Sequence, residues 1–400
     1  MKVFVIALLG CLSIPGWAFS QYCSSDNRFT EADWFSAQEI DSSMNVQYGN
    51  AQDWIGSNTD LYLDIYYPNS SVDNMAQRPF ILLIHGGGFI IGDKDIMHPY
   101  CRDFAKKGFV VATMSYRLGI APNNFSVYRA QQDAHAAMRF MVDQADTYGV
   151  DTSWLFIGGR SAGSITALNL VYADQAYWNS FAPNVVNDLG DIDNSSNNLT
   201  HTFTLKGIFN NWGNVSDNAV EASEMLPMIS YHGEMDPIVP IDNSITGDIG
   251  SRILHDRLSD ESICSDLTVD PSGSHEVYDT EQGIKMMVRN ASCFFKSVFC
   301  GNCASGSRTD SVSANCSVVT SVAAASPEAP VRVFPNPFKE KIQVEGVQNN
   351  PQYCLVDTKG RIVFKGQALE DIQFDGLSAG VYILHINNDG KPLTYKMVKE

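Results

Sequence analysis

The five residues Gly159–Gly163 hold a serine in a setting that suits nucleophilic attack. Ser161 lies between an apolar run that is typical of a buried strand and a stretch with helical periodicity. A serine in a tight glycine-flanked turn of this kind is exposed at a helix N-terminus, where its hydroxyl can attack a carbonyl carbon. The alternative is an ordinary glycine-rich turn with a capping serine. We interpret Ser161 as the candidate nucleophile.

A second glycine-rich motif, His85–Phe89, directly follows the apolar run Phe80–Ile84. Attack on an ester carbonyl produces an oxyanion, which preorganised N–H groups stabilise. Glycines allow the backbone to come close to a ligand and to aim its N–H groups inward. We therefore predict an oxyanion hole formed by Gly87, Gly88 and Ala162, with a flexible turn as the alternative.

A serine nucleophile needs a base, and the base needs a carboxylate that orients it. Asp236 follows the apolar run Met228–Tyr231 and is the predicted orienting carboxylate, with Glu234 as its competitor. His275 lies on a glycine- and serine-rich loop and is the predicted base. His255, the other histidine in this interval, has helical neighbours and is the alternative.

The elements around these motifs alternate between short apolar strands and longer helical patterns. Strands that are apolar throughout are typical of a parallel sheet covered on both faces. We predict an α/β fold with such a mostly parallel sheet and helices on both faces. The predicted strands are 80–84, 109–114, 154–157, 207–209 and 228–231, and the predicted helices are 99–107, 127–148, 165–173, 249–258 and 281–298.

The chain changes character after residue 300. Residues 301–330 are rich in Ser and Ala and are predicted to be a linker, while residues 331–400 contain about seven short strand candidates separated by glycines. The predicted domains are therefore a signal peptide at 1–20, a catalytic domain at 21–300, the linker, and a small all-β sandwich at 331–400.

Composition limits the function classes. The 400 residues carry a net charge of −18, and a chain this acidic repels phosphate backbones, so a nucleic-acid binder is excluded. The N-terminus has the pattern of a signal peptide, with a positive charge at Lys2, an apolar run after it and small residues before Gln21. This pattern predicts signal-peptidase cleavage after Ser20. The alternative is a lipoprotein acylated at Cys11. An exported chain lives in an oxidising compartment, where disulfides persist.

The chain has nine cysteines, and several of them cluster near the predicted end of the catalytic domain. Cys300 and Cys303 form a CxxC pair that could be a metal or redox motif. Because no second CxxC and no flanking histidine accompany the pair, structural disulfides are the preferred interpretation. Their connectivity is left open, and no metal or organic cofactor is predicted.

The motifs together resemble those of α/β-hydrolase-fold carboxylesterases of the branch with HGGG and GxSxG motifs, over residues 44 to about 298. The resemblance implies a secreted serine carboxylic-ester hydrolase in which Ser161, Asp236 and His275 form a triad. Arg160 departs from this branch, which often has Asp or Glu at that position. A serine peptidase or amidase and a non-catalytic surface protein on a hydrolase fold are the alternatives.

The C-terminal region resembles the type IX secretion sorting domains of Bacteroidota. The residues that carry this resemblance are Phe334–Phe338, Gly380–Leu384 and the basic end Lys396–Lys399. The resemblance implies that outer-membrane secretion machinery is a partner and that the protein is secreted or displayed on the cell surface. A carbohydrate-binding module is the alternative.

Residues 173–204 lie where many α/β-hydrolases insert a cap, but here they are mostly polar. Burying unpaired polar groups is costly, so this segment is not expected to build a wide apolar lid. We predict a modest pocket walled by Phe89, Trp178, Phe181 and Trp212. The predicted substrates are short-acyl esters or esters linked to a polymer, such as a polysaccharide or a polyester.

Overall fold

The computed structural model describes residues 21–23, 26–30, 32–121, 123–309, 332–347, 351–357, 361–388 and 391–400. They fall into two compact units, one within residues 1–320 and the other within residues 321–400. The predicted signal peptide, Cys11 and most of the predicted linker lie outside the described residues.

The first unit is built on a sheet of nine strands in the order β1-β2-β4-β3-β5-β6-β8-β10-β11. Two further short strands, β7 and β9, form a separate antiparallel sheet of their own. The strands of the unit are β1 (Ile40–Gln52), β2 (Asn58–Pro68), β3 (Arg78–Ile84), β4 (Val110–Met114), β5 (Val150–Arg160), β6 (Leu205–Asn211), β7 (Asn214–Ser216), β8 (Met228–Gly233), β9 (Asp248–Gly250), β10 (Ser265–Asp270) and β11 (Gly306–Arg308).

Within the nine-stranded sheet, the neighbours in the run β4-β3-β5-β6-β8-β10-β11 all pair in parallel. This confirms the prediction of a mostly parallel sheet. Every residue of β3 and β4 is buried, as their continuous apolar runs predict. The antiparallel strands β1 and β2 at one edge were not predicted. At the other edge β11 lies inside the predicted linker, so the described sheet extends past residue 300.

The described residues of the first unit form eight α-helices, and six short 3₁₀ turns are found across both units where the structure describes them. The α-helices are α1 (His98–Lys106), α2 (Asn124–Asp143), α3 (Ala145–Tyr148), α4 (Ala162–Tyr172), α5 (Gln175–Phe181), α6 (Pro183–Leu189), α7 (Ser251–Asp260) and α8 (Glu281–Phe299). The 3₁₀ turns are Ala37–Glu39, Lys94–Met97, Ile192–Asn194, Asp217–Ala219, Ala222–Glu224 and Leu369–Asp371.

Two hydrophobic cores cover the two faces of the sheet. On one face α2, α4 and α7 contribute Met138, Leu168 and Leu254 to a core. On the other face α1 and α8 contribute residues such as Phe104 and Phe295 to a second core. The α/β fold with helices on both faces is therefore confirmed. Among the described residues, no helix is long and apolar enough to cross a bilayer.

Both cysteines of the CxxC pair are in disulfides. Cys300 pairs with Cys23, Cys303 pairs with Cys264, and Cys293 is also disulfide-bonded. The preferred interpretation of these cysteines as structural is therefore confirmed. Among the described cysteines, Cys101 and Cys354 are free.

The described part of the second unit has two small antiparallel sheets that share one hydrophobic core. One sheet has the order β12-β13 and the other β15-β14-β16-β17. The strands are β12 (Arg332–Phe334), β13 (Gln343–Glu345), β14 (Gln352–Asp357), β15 (Ile362–Gly366), β16 (Gly380–Asn388) and β17 (Lys391–Lys399). An all-β unit is therefore confirmed.

Candidate active site

Ser161 lies at the sharp turn between β5 and α4. Its backbone has φ 51° and ψ −122°, a strained conformation for a residue with a Cβ. The turn packs so tightly against the end of β3 that a Cβ on Gly163 would lie 2.0 Å from the carbonyl oxygen of Ile84. The close approach explains why glycine occupies position 163 of the motif.

The two other triad candidates follow neighbouring strands. Asp236 lies just after β8, and His275 lies in the loop after β10. Because β5, β6, β8 and β10 run in parallel in adjacent positions, the loops that follow them meet at one edge of the sheet. Residues that are 114 positions apart in the sequence, His275 and Ser161, therefore come into contact.

The structure brings Ser161, His275 and Asp236 into one hydrogen-bonded line. Ser161 Oγ lies 2.8 Å from His275 Nε2, and His275 Nδ1 lies 2.6 Å from Asp236 Oδ2. The arrangement lets the serine hydroxyl donate to Nε2 while Nδ1–H donates to the carboxylate. It is the geometry that a serine nucleophile, a base and an orienting carboxylate require.

Asp236 is held in its ionised form by its neighbours. Burial opposes its charge, but hydrogen bonds from His232, His275 and the backbone N–H groups of Val239 and Ile238 hold the pKa of this carboxyl well below its ordinary value. His232 is buried, and its Nε2 lies 2.8 Å from the Val239 carbonyl oxygen and 3.4 Å from Asp236 Oδ2. A permanently ionised Asp236 is suited to stabilising an imidazolium.

The competing residues have other partners. Glu234 forms an ion pair with Arg252. His255 lies on α7, and its Nδ1 is 2.9 Å from Ser265 Oγ. Neither of them joins the line formed by Ser161, His275 and Asp236.

The loop after β3 supplies free N–H groups next to the serine. Gly87 has φ 113°, and a Cβ there would lie 1.9 Å from the carbonyl oxygen of Ile91, so the loop requires glycine. Among the described residues, the N–H groups of Gly87, Gly88 and Ala162 donate to no protein acceptor. A Cβ on Gly86 would lie 3.2 Å from Ser161 Cβ, which places this loop beside the nucleophile.

The predicted pocket residues divide into two pairs. Trp212 is buried with its ring centroid 6.2 Å from that of His275, and Phe89 is buried next to the glycine loop. Trp178 is a core residue, since it is 2% exposed and its Nε1 donates to Gln131. Phe181 lines a cavity with Tyr172, at the end of α4 about 16 Å from Ser161. The structure thus brings Phe89 and Trp212, but not Trp178 and Phe181, to the surroundings of Ser161 and His275.

The predicted cap segment instead packs onto α2. Gln131 and Gln132 of α2 donate to backbone carbonyls of the segment, including those of Ala173 and Leu189. Ser196 donates to the buried Asp133. Several polar groups of the segment are thus used in hydrogen bonds to the body of the domain.

Asp64, Asp95 and His98 form the cluster among the described residues whose atoms could together hold a metal ion. Lys94 Nζ lies 3.1 Å from Asp64 Oδ2 and 3.3 Å from Asp95 Oδ1. The ammonium group therefore already supplies a positive charge to these carboxylates, and their geometry is explained without a metal.

Arg160 is a feature of the site whose role sequence reasoning missed. Its guanidinium reaches Glu276 and Asp279 on the loop that carries His275. An arginine beside the candidate nucleophile was the only local signal, because its partners are more than 115 positions away in the sequence.

Two family models match parts of the two units. Residues 63–222 match the BD-FAE family, and residues 332–400 match the secretion system C-terminal sorting domain. These matches confirm the two resemblances found in the sequence, an α/β-hydrolase esterase domain and a type IX sorting domain.

Two curated relatives each match about a quarter of the chain. Esterase LipI of Mycobacterium tuberculosis is 36% identical over 26% of this chain and 31% of its own length. Carboxylesterase 1C of Mus musculus is 33% identical over 28% of this chain and 21% of its own length. The chain thus matches about a third or less of the length of these relatives. Esterase 2 of Thermogutta terrifontis, solved as its paraoxon adduct, aligns with a TM-score of 0.49 at 20% identity, over 68% of this chain and 98% of its own.

Proposed function

We propose that this chain, in which an α/β-hydrolase esterase domain is joined to a C-terminal sorting domain, is a secreted serine carboxylesterase. The observation that carries the proposal is the hydrogen-bonded line from Asp236 through His275 to Ser161. The line ends at a strained turn with free N–H groups beside it, which is where acyl transfer would need them.

In the proposed mechanism Ser161 Oγ attacks the ester carbonyl carbon while His275 Nε2 takes its proton. The tetrahedral intermediate collapses when His275 returns this proton to the leaving alcohol, and an acyl-enzyme remains. Water, activated by His275, then attacks the acyl-enzyme and releases the carboxylic acid. Asp236 fixes the tautomer of His275 and stabilises its imidazolium form.

The oxyanion that forms in each half of the reaction is held by the N–H groups of Gly87, Gly88 and Ala162. The support for this role is that these groups have no acceptor among the described residues. Donors that are fixed before the reaction need no reorganisation when charge develops on the oxygen.

Export requires two signals in this proposal. The N-terminal signal peptide directs the chain into the periplasm, and the C-terminal sorting domain directs it through the type IX machinery to the cell surface or medium. The match of residues 332–400 to a sorting domain supports the second step.

A chain shortened to end at residue 320 is expected to keep its ester turnover. The three residues of the proposed triad lie in the first unit, and the second unit has its own core. The kcat/KM of the shortened and full chains should be equal on a soluble ester. In the native host the shortened enzyme should accumulate in the periplasm. A folded but inactive shortened chain would show instead that the C-terminal unit is part of the site.

We further propose that the enzyme acts on short acyl groups. The segment 173–204 is bound to α2 through Gln131, Gln132 and Asp133, so it does not supply the apolar lid that long acyl chains need. The natural substrate would be an acetyl or feruloyl ester on a polysaccharide, or an exposed polyester. Secretion favours a polymer that is too large to import.

A turnover panel of p-nitrophenyl esters of rising acyl length, run beside peptide anilides, tests the substrate proposal. We expect kcat/KM to be highest from acetyl to butyryl and to fall for longer chains. A maximum at about ten carbons or longer with interfacial activation would indicate a lipase with a mobile apolar lid. Faster turnover of the anilides would favour the peptidase alternative. Absence of turnover on every substrate would favour the non-catalytic surface protein.

A further inference from the structure

Arg160 occupies the position directly before Ser161, at the end of β5. Its side chain is 9% exposed. It lies on the side of the strand that faces the loop after β10, rather than in solvent. The residue therefore joins the nucleophile turn to the loop that carries His275.

The guanidinium of Arg160 binds two carboxylates of this loop. Nη1 and Nη2 donate to the two carboxylate oxygens of Asp279 at 3.0 and 2.9 Å, and Nη2 also donates to Glu276 Oε1 at 2.7 Å. A bidentate pair of this kind fixes direction as well as distance, because the guanidinium fork matches the carboxylate plane. Burial opposes the charge of Arg160, but the neighbouring Asp279 and Glu276 carboxylates raise the pKa of the guanidinium.

The loop that Arg160 binds is held in an unfavourable backbone conformation. Glu276, which directly follows His275, has φ 62°, and Tyr278 has φ 61°. Residues with a Cβ keep such angles where surrounding contacts hold them, and such residues concentrate at functional sites. The contacts of Arg160 fall on this stretch, at Glu276 and Asp279.

Trp212 provides a second connection between Arg160 and His275. The Cζ atom of Arg160 lies 5.7 Å from the centre of the Trp212 ring. The same ring meets the imidazole of His275 edge-on, with the centroids 6.2 Å apart. The guanidinium thus contacts both the backbone neighbour of His275 and the aromatic wall beside its ring.

We propose that Arg160 is a positioning residue that fixes the imidazole of His275 at the distance and angle that Ser161 requires, and that it neutralises two carboxylates of the loop that carries this imidazole. The inference rests on the proposed function, since it assigns a role within the same site. The guanidinium of Arg160 bonds to Glu276 and Asp279 and not to the Ser161 hydroxyl or the imidazole, and it acts through these two residues and Trp212.

The charge part of the proposal predicts a change in pH dependence. The groups that face His275 are Asp236 and Ser161 as direct partners, and Glu276 and Asp279 on its own loop. Arg160 comes from β5, with Tyr100 of α1 near it, and His232 acts through Asp236. Removal of the Arg160 cation leaves two uncompensated carboxylates on the loop that carries the imidazole, and their negative charge should stabilise the imidazolium. The acid limb of the activity profile should therefore move to higher pH.

Arg160→Gln is the test variant, measured as kcat/KM against pH together with the melting temperature. We expect kcat/KM to fall by about 10²-fold, because small displacements of a catalytic group have effects of this size. We also expect the acid limb to shift upward. Arg160→Lys keeps the positive charge but lacks the two-pronged guanidinium that binds Asp279. It should therefore restore the acid limb of the pH profile to its original position while kcat stays low. Adding Glu276→Gln and Asp279→Asn to Arg160→Gln should likewise restore the limb.

Arg139→Gln is the matched control, because Arg139 is a buried arginine of α2 that pairs with Asp193 away from the site. Its pH profile should match that of the unaltered protein. If Arg160→Gln fails to fold, Asp279→Asn tests the same bidentate contact with the arginine in place. A folded Arg160→Gln or Asp279→Asn variant with unaltered kcat/KM and acid limb would overturn the proposal. Labelling of the unaltered protein by an organophosphate separates this failure from failure of the proposed function, in which no adduct would form at Ser161.

Discussion

Ser161→Ala is expected to lower ester turnover by about three orders of magnitude or more while the fold stays intact. The alanine removes the oxygen that lies 2.8 Å from His275 Nε2 and therefore the acyl-enzyme route. Turnover that remains would come from the N–H groups of the glycine loop and from substrate binding. The measurement is kcat/KM on a short p-nitrophenyl ester, with the melting temperature as a check on folding.

Organophosphate labelling supplies an independent readout of the same assignment. One adduct should form on the unaltered protein, at Ser161, and none on Ser161→Ala. Ser272→Ala is a suitable control, because Ser272 is an exposed serine on the loop that carries His275 and its hydroxyl bonds to Asp270. If the Ser161 variant kept substantial turnover, another nucleophile would have to be sought.

His275→Ala is expected to abolish turnover, whereas His255→Ala should leave both the rate and the pH profile unchanged. His275 contacts Ser161 and Asp236, while His255 contacts Ser265 on a different part of the sheet. Both variants can be compared on one ester with the same folding check. The opposite pattern would transfer the role of base to His255.

The pH profile of the unaltered enzyme should show a single ionisation on the acid side. The base must be neutral to accept the serine proton, so turnover should fall as the pH is lowered and His275 takes up a proton. The pKa of Asp236 lies well below its ordinary value, so its ionisation should not contribute to this fall. A second acid-side ionisation that Asp236→Asn removes would contradict the environment described for Asp236.

The central strands could be predicted from the sequence because burial on both faces requires uninterrupted apolar residues. β3 and β4 are such strands, and the motifs at the ends of β3 and β5 could then be placed at one edge of the sheet. The edge strands gave no such signal. β1 has one buried residue and changes register with β2 at two positions, so its burial does not alternate regularly along the strand.

The parts of the site that could not be predicted from the sequence are contacts between residues that lie far apart in the chain. The order of Ser161, Asp236 and His275 along the chain could be recognised because each residue lies in a motif with its own local pattern. Arg160 and Asp279 are 119 positions apart, and no local pattern links them. The burial of Trp178 could not be predicted for a related reason, since its partner Gln131 is 47 positions away in the sequence.

The disulfide between Cys23 and Cys300 joins two residues that are 277 positions apart, so it turns nearly the whole hydrolase domain into a covalent ring. A ring of this size restricts the unfolded chain strongly, because the entropy removed by a crosslink grows with the length of the loop that it closes. It also changes the outcome of proteolysis outside the cell. A single cut in a surface loop between these cysteines would open the ring without releasing a fragment. The disulfide would keep the two parts of the nicked domain covalently joined, so they could fold together again.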